Sequence, residues 1–283
     1  MAMCGVVYAA PLKVASLHPL IGDLLRQVGG DAIEVVDLIG KMGDPHGFDP
    51  QAKDLAATKG AEIYFVSGMG LENYLAELKA VLGGKARIVE VGATLPALHG
   101  ACDHERHDHD HAHELDPHWW HSVDLFRRAT AVVAEELSRQ RPDESETFAR
   151  NAATYRGKLD VLEKWVRREV IRLPKDRRKL ATAHAAFQYF CEAYGFESFS
   201  VQGVNREQMP DAVTLAKLIS TLKSEKVAAI FPEKESNPKM LQSLTRDTGI
   251  KLGDELIADG RGVTSYEAMV RANVTAIVAA LGK

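Results

Sequence analysis

Between Pro142 and Pro174 the chain carries no internal proline and one glycine, Gly157. Inside that stretch Phe148, Ala152, Tyr155, Leu159, Leu162, Val166 and Val170 recur at spacings of three and four. That is a single apolar stripe with the helical period. A helix of about 30 residues spans about 45 Å, more than the width of a small domain. It is either a long core helix or a rigid strut between two lobes. In both cases the rest of the chain must pack along its length.

On either side of this stretch strand-like and helix-like segments alternate. Before it, "KVAS", "IEVVDLI", "AEIYFVSG" and "ARIVEVG" read as strands, with "HPLIGDLLRQVGG" and "MGLENYLAELKAVLGG" as helices between them. After it, "RKLATAH", "FESFSVQG", "VAAIFPEK" and "IKLGDEL" repeat the pattern, and "TSYEAMVRANVTAIVAALGK" closes the chain as a helix. Such alternation predicts mainly parallel sheets covered by helices. The expected fold class is therefore α/β, with two lobes of mainly parallel sheet flanked by helices and joined by one long rigid helix. The expected boundaries are an N-terminal lobe over 11–142, a linking helix over 143–173 and a C-terminal lobe over 174–283.

Composition narrows the functions. With 283 residues, 46% of them hydrophobic, the chain can bury a large core. A formal net charge of −4 and no basic face argue against a nucleic-acid partner. No apolar run reaches the roughly 18–20 residues of a membrane-spanning helix. The opening "MAMCGVVYAAPLKVAS" does not read as an intact signal peptide. Cys4, Cys102 and Cys191 have no short spacing, which argues against a cysteine-rich zinc site and selects no disulfide pair.

The chemistry lies in the histidines. "GDPHGFDP" and "LDPHWWH" share the tripeptide Asp-Pro-His. In each, proline fixes its own φ and pushes the preceding aspartate toward an extended shape, so the imidazole is presented with little backbone freedom. His46 follows a strand, where α/β folds place ligands. His118 is followed by Trp119 and Trp120, large enough to wall a site from water. His121 is a poorer candidate. His184 ends the strand "RKLATAH". Singly, His46 is better read as a surface histidine in a turn, His118 is evenly balanced between a ligand and a packed helix start, and His184 is more commonly a core histidine. Asp254, in "IKLGDELIADG", follows a strand and a glycine, whereas Asp259 reads as a turn residue. Together His46, His118, His184 and Asp254 sit at strand-to-loop edges in both halves, and three imidazoles with one carboxylate suit Zn²⁺.

A different object lies at 102–117. His104, His107, His109, His111 and His113 alternate with acidic residues in "DHERHDHDHAH". Such a segment cannot form a core. Five histidines point to auxiliary, weak metal capture.

The chain resembles the periplasmic zinc-binding solute-binding proteins of ATP-binding-cassette importers, in the zinc and manganese receptor family. The likeness rests on "SLHPLIGDLLRQVGGDAIEVVDLIGKMGDPHGFDPQ", "DPHWWHS", "ATAHAAFQYFCEAYG" and "IKLGDELIADG". It implies metal ligation by His46, His118, His184 and Asp254, with zinc as the ion. In manganese members the third position is commonly glutamate, so histidine at 184 points to zinc. It also implies high-affinity Zn²⁺ capture in the periplasm or another extracytoplasmic space, by a monomer that is not an enzyme. Delivery is to a membrane ABC permease, with a zinc-donating metallochaperone as a further partner. The alternatives are a manganese-specific receptor and, from another class, a zinc-dependent hydrolase. The latter lacks an HExxH or Gly-x-Ser-x-Gly pattern.

Overall fold

The computed structural model describes residues 10–282, except 41, 85, 101–114, 205–210 and 235–237. The five histidines of the acidic segment, along with Cys4 and Cys102, lie outside the described residues.

The first half runs β1 (Leu12–Ser16), α1 (Pro19–Gly29), β2 (Ile33–Asp37), α2 (Ala52–Ala57), β3 (Ile63–Val66), α3 (Leu75–Leu82) and β4 (Arg87–Glu90). Its four strands pair in the order β2-β1-β3-β4, every pair parallel. Next come α4 (Val123–Gln140) and α5 (Ser145–Val170). The second half runs β5 (Lys179–His184), α6 (Gln188–Tyr194), β6 (Glu197–Gln202), α7 (Ala212–Ser224), β7 (Ala229–Phe231), α8 (Pro238–Thr248), β8 (Lys251–Leu252) and α9 (Tyr266–Leu281). Its sheet has the same parallel layout, β6-β5-β7-β8. The fold is thus two parallel-sheet α/β lobes linked by a long helix.

Local chemistry sets the element ends. Pro19 opens α1, where its missing N–H is no loss, and His18 Nδ1 accepts from the N–H of Leu20 at 3.2 Å. Ser122 caps α4 and Ser265 caps α9, each hydroxyl accepting a backbone N–H of the first turn. The helix expected from Met69 begins only at Leu75. Gly68, Met69 and Gly70 all have left-handed φ, and the Glu72 carboxylate accepts from the N–H groups of Ser67 and Gly68. A turn of that hand cannot be the start of a right-handed helix.

The helix α5 has 26 residues, about 39 Å at 1.5 Å each. Its buried residues are Phe148, Ala152, Tyr155, Leu159, Leu162, Val166 and Val170, the stripe legible in the sequence. This stripe packs against α1 and α4 from the first half and α9 from the second. One hydrophobic cluster consequently runs from Leu12 in β1 to Leu281 in α9 without a break at the lobe boundary. Phe126 of α4 and Tyr266 of α9 stack at 3.6 Å between ring centroids, adding on the order of 1 kcal/mol beyond area burial. Leu159 is 1% exposed at the centre of the stripe. Leu159→Ala should therefore cost about 2–5 kcal/mol, read as a lower denaturation midpoint of the metal-free protein with an unchanged urea slope.

Candidate metal centre

The side chains of His46, His118, His184 and Asp259 converge between the lobes, each offering one donor atom within 4.8 Å of the others. His118 Nε2 lies 3.2 Å from His46 Nε2 and 3.3 Å from His184 Nε2. Asp259 Oδ1 is 3.6 Å from His46 Nε2 and 3.9 Å from His118 Nε2. A tetrahedron with zinc-to-donor bonds of about 2.0–2.1 Å has edges of about 3.3–3.4 Å. The observed edges bracket that value.

Carboxylates hold all three histidines, two by the ring and all three by the backbone. His118 follows β4 and the 101–114 segment, just before the 3₁₀ turn Trp119–His121. Its Nδ1 lies 2.8 Å from Asp116 Oδ1, which also accepts the N–H of His118 at 2.9 Å. His184 ends β5, and its Nδ1 meets Glu233 Oε2 at 2.5 Å while its N–H donates to Glu233 Oε1 at 2.9 Å. With carboxylates on Nδ1, both rings carry their proton there and turn the Nε2 lone pair inward. In the loop after β2, the His46 N–H donates to Asp44 Oδ1 at 3.0 Å. The repeated Asp-Pro-His thus has one structural meaning. In both copies the aspartate turns back to hold the backbone of the histidine two residues on.

Three of the donors are deeply buried: His118 and His184 are fully covered and Asp259 is 1% exposed. Desolvation holds the His118 pKa below the ordinary imidazole value, with the Asp116 hydrogen bond opposing it. A neutral, lone-pair-bearing ring is the form that ligates metal. The His46 side chain is 13% exposed. It borders a cavity of about 330 Å³ lined also by Met69, Leu71, Leu115, Pro117 and Val204. His46 is thus the donor most open to solvent.

The acid among the histidines is Asp259, where Asp254 was expected. Asp254 follows the edge strand β8 and Gly253, is exposed, and lies outside the cluster. An edge strand is the far margin of the sheet, so the chain needs five more residues to return to the crevice. There the Ala258 carbonyl accepts from Trp120 Nε1 at 2.7 Å. Gly260 takes φ of +73° with α1 so near that a Cβ would lie 2.6 Å from Leu20. The small residues around the acid in "IADGRG" were the available signal. His121 is buried against Phe187 with its pKa lowered to about 3 by desolvation, and stands outside the donor set. Asp116 and Glu233 carry no periodic or spacing signal, although the doubled Asp-Pro-His marks Asp116.

Two parallel-sheet lobes bridged by one helix, with a buried donor cluster between them, define a metal-binding solute receptor of the ABC-importer class. The chain belongs to the family described as zinc-uptake complex component A, periplasmic (ZnuA), whose model matches residues 14–280. It is similar to the zinc-binding protein TroA of Treponema pallidum, at 31% identity over 96% of this chain and 89% of that one. The solved periplasmic zinc-binding protein TroA from the same organism superposes with a TM-score of 0.85 at 30% identity, covering 97% of this chain and 100% of that one. The manganese-binding lipoprotein MntA of Halalkalibacterium halodurans is 26% identical over 96% of this chain and 89% of its own length.

The two acids separate experimentally. Asp259→Ala should weaken the tightest metal-binding event by at least tenfold, and Asp254→Ala should leave it unchanged, in chelator competition with the purified protein.

Proposed function

We propose that this chain captures Zn²⁺ with high affinity outside the cytoplasm and delivers it to a membrane ABC permease. The observation that carries this reading is the buried convergence of three imidazole Nε2 atoms and one carboxylate oxygen. Three inward lone pairs and a buried acid need a cation among them. Its chemistry follows from the donors. Nitrogen-rich ligation disfavours Mg²⁺ and Ca²⁺, and Zn²⁺ stands well above Mn²⁺ in affinity for such a site. The name of TroA, zinc-binding protein, supports zinc. Manganese is the second reading, because relatives such as MntA are named for it. Equal-concentration competition between the two ions decides between them, and the donor set predicts that zinc prevails.

The receptor acts as a monomer, and a metallochaperone can serve as donor. His104, His107, His109, His111 and His113 form the auxiliary capture segment. Among the described residues no helix is long and apolar enough to cross a membrane.

Metal analysis of the purified protein, before and after deletion of 103–113, is the direct test. One tightly held zinc should survive the deletion while weaker binding events disappear. Loss of the tight ion with the deletion would overturn this division of labour. His184→Ala should weaken tight binding by orders of magnitude.

The pH dependence has a definite sign. A proton competes with zinc for each Nε2, so affinity falls as pH drops. Burial lowers the His118 pKa, so that ligand remains neutral below pH 6.5, where a free imidazole is half charged. Zinc retention should therefore persist to a lower pH than ordinary imidazole titration would allow, as measured by chelator competition across pH 5–8.

A further inference from the structure

On the exit side of the metal site the two donors sit on loops, and a side-chain bridge joins those loops outside the donor set. Asp44 uses both carboxylate oxygens. Oδ1 accepts the backbone N–H of His46 at 3.0 Å, and Oδ2 lies 2.5 Å from Arg261 Nη2. Arg261 stands two residues beyond Asp259. The links form a closed ring: Asp44 to His46, His46 facing Asp259, the backbone through Gly260 to Arg261, and back to Asp44. His46 and Asp259 approach to 3.6 Å inside this ring. The Arg261 and Asp44 side chains are 12% and 33% exposed, so water screens the pair only partly. Its charged surroundings include Lys234, whose Nζ would lie 2.6 Å from a Cβ at Gly262.

The other donors are held differently. His118 and His184 are locked by buried carboxylates at the ends of regular elements. His46 has the exposed edge and no regular structure around it. An ion leaving through the cavity beside His46 must displace that ring, and the ring moves with its backbone. We infer that the Asp44–Arg261 ion pair is a strap that positions His46 against Asp259 and sets the rate at which the ion is released. This rests on the receptor reading above. It adds two residues that touch no metal yet govern its residence time.

The test is stopped-flow release of Zn²⁺ into excess fluorescent chelator, using the full chain loaded with one zinc. Arg261→Gln removes the charge while leaving Asp44 on the His46 N–H. Asp44→Asn keeps an Oδ1 acceptor for that N–H and removes the pair. Each should raise koff roughly tenfold, and the double variant should be no faster than either single one, because both remove the same interaction. Arg261→Lys should restore part of the slow release. Raising ionic strength should speed release from the natural chain more than from Arg261→Gln. The melting temperature of the zinc-free protein guards against a general loss of structure and should stay within a few degrees in all variants. An unchanged koff in Arg261→Gln, or single effects that multiply in the double variant, overturns the strap while leaving the receptor reading intact. Failure of the natural chain to hold one zinc tightly overturns both.

Discussion

Two ring-to-carboxylate hydrogen bonds, His118 to Asp116 and His184 to Glu233, make the crevice a metal site. A free imidazole offers either nitrogen and rotates about its own bond. Once Nδ1–H is committed to a buried carboxylate, one lone pair remains and its direction is set. Each carboxylate also accepts the backbone N–H of the histidine it orients, so ring and backbone are held by one group. This leaves Asp116, Glu233 and Asp259 within 2% of complete burial. Three carboxylates this deeply buried cost several kcal/mol each to desolvate unless positive charge is returned nearby. A divalent cation returns two charges at the centre of the group. The buried acids are thus understandable only together with the ion.

That aim requires a frame that does not flex. Trp120 lies between the lobes: its Nε1 donates to the Ala258 carbonyl and its own carbonyl accepts from Tyr266 Oη. Asp23 of α1 accepts the Tyr266 N–H at 2.8 Å, fixing the start of α9 to the first half of the chain. With α5 packed against α1, α4 and α9 and one core continuous through both halves, a wide hinge would break apolar contacts along its whole length. Small loop displacements on the exposed side cost far less. Such a receptor can be pre-organised for its ion, with little ordering left to offset on binding.

Much of this was legible because it was periodic. The α5 stripe has the 3.6-residue period over seven turns without a breaker, and no other element accommodates it. The strands of both sheets show as short apolar runs between turn residues. His46, His118 and His184 could be singled out because each terminates or follows a strand, two of them behind the same Asp-Pro pair. Sheet order could not be read from the chain, and that is where the acid was misplaced. Had β8 been central, Asp254 would have stood beside the crevice. As an edge strand, β8 leaves it on the outer margin, and Asp259 arrives only after the chain has crossed back over Leu20. Glu233 was hidden for a related reason. Its role depends on β5 and β7 being neighbours, a pairing between residues far apart in sequence.

The distribution of support among the four donors also separates a carrier from a catalyst. A hydrolytic zinc keeps one coordination position open for water and substrate. Here three donors are covered to within 1%, Trp120 packs edge-on to His118 at 5.2 Å, and His46 completes a set of four protein donors. What a carrier needs instead is a hold that is strong in place and weak along one exit. Two histidines oriented by buried carboxylates supply the hold. His46 and Asp259, by contrast, stand on loops outside both sheets. The asymmetry between the two pairs follows from where the chain leaves its strands.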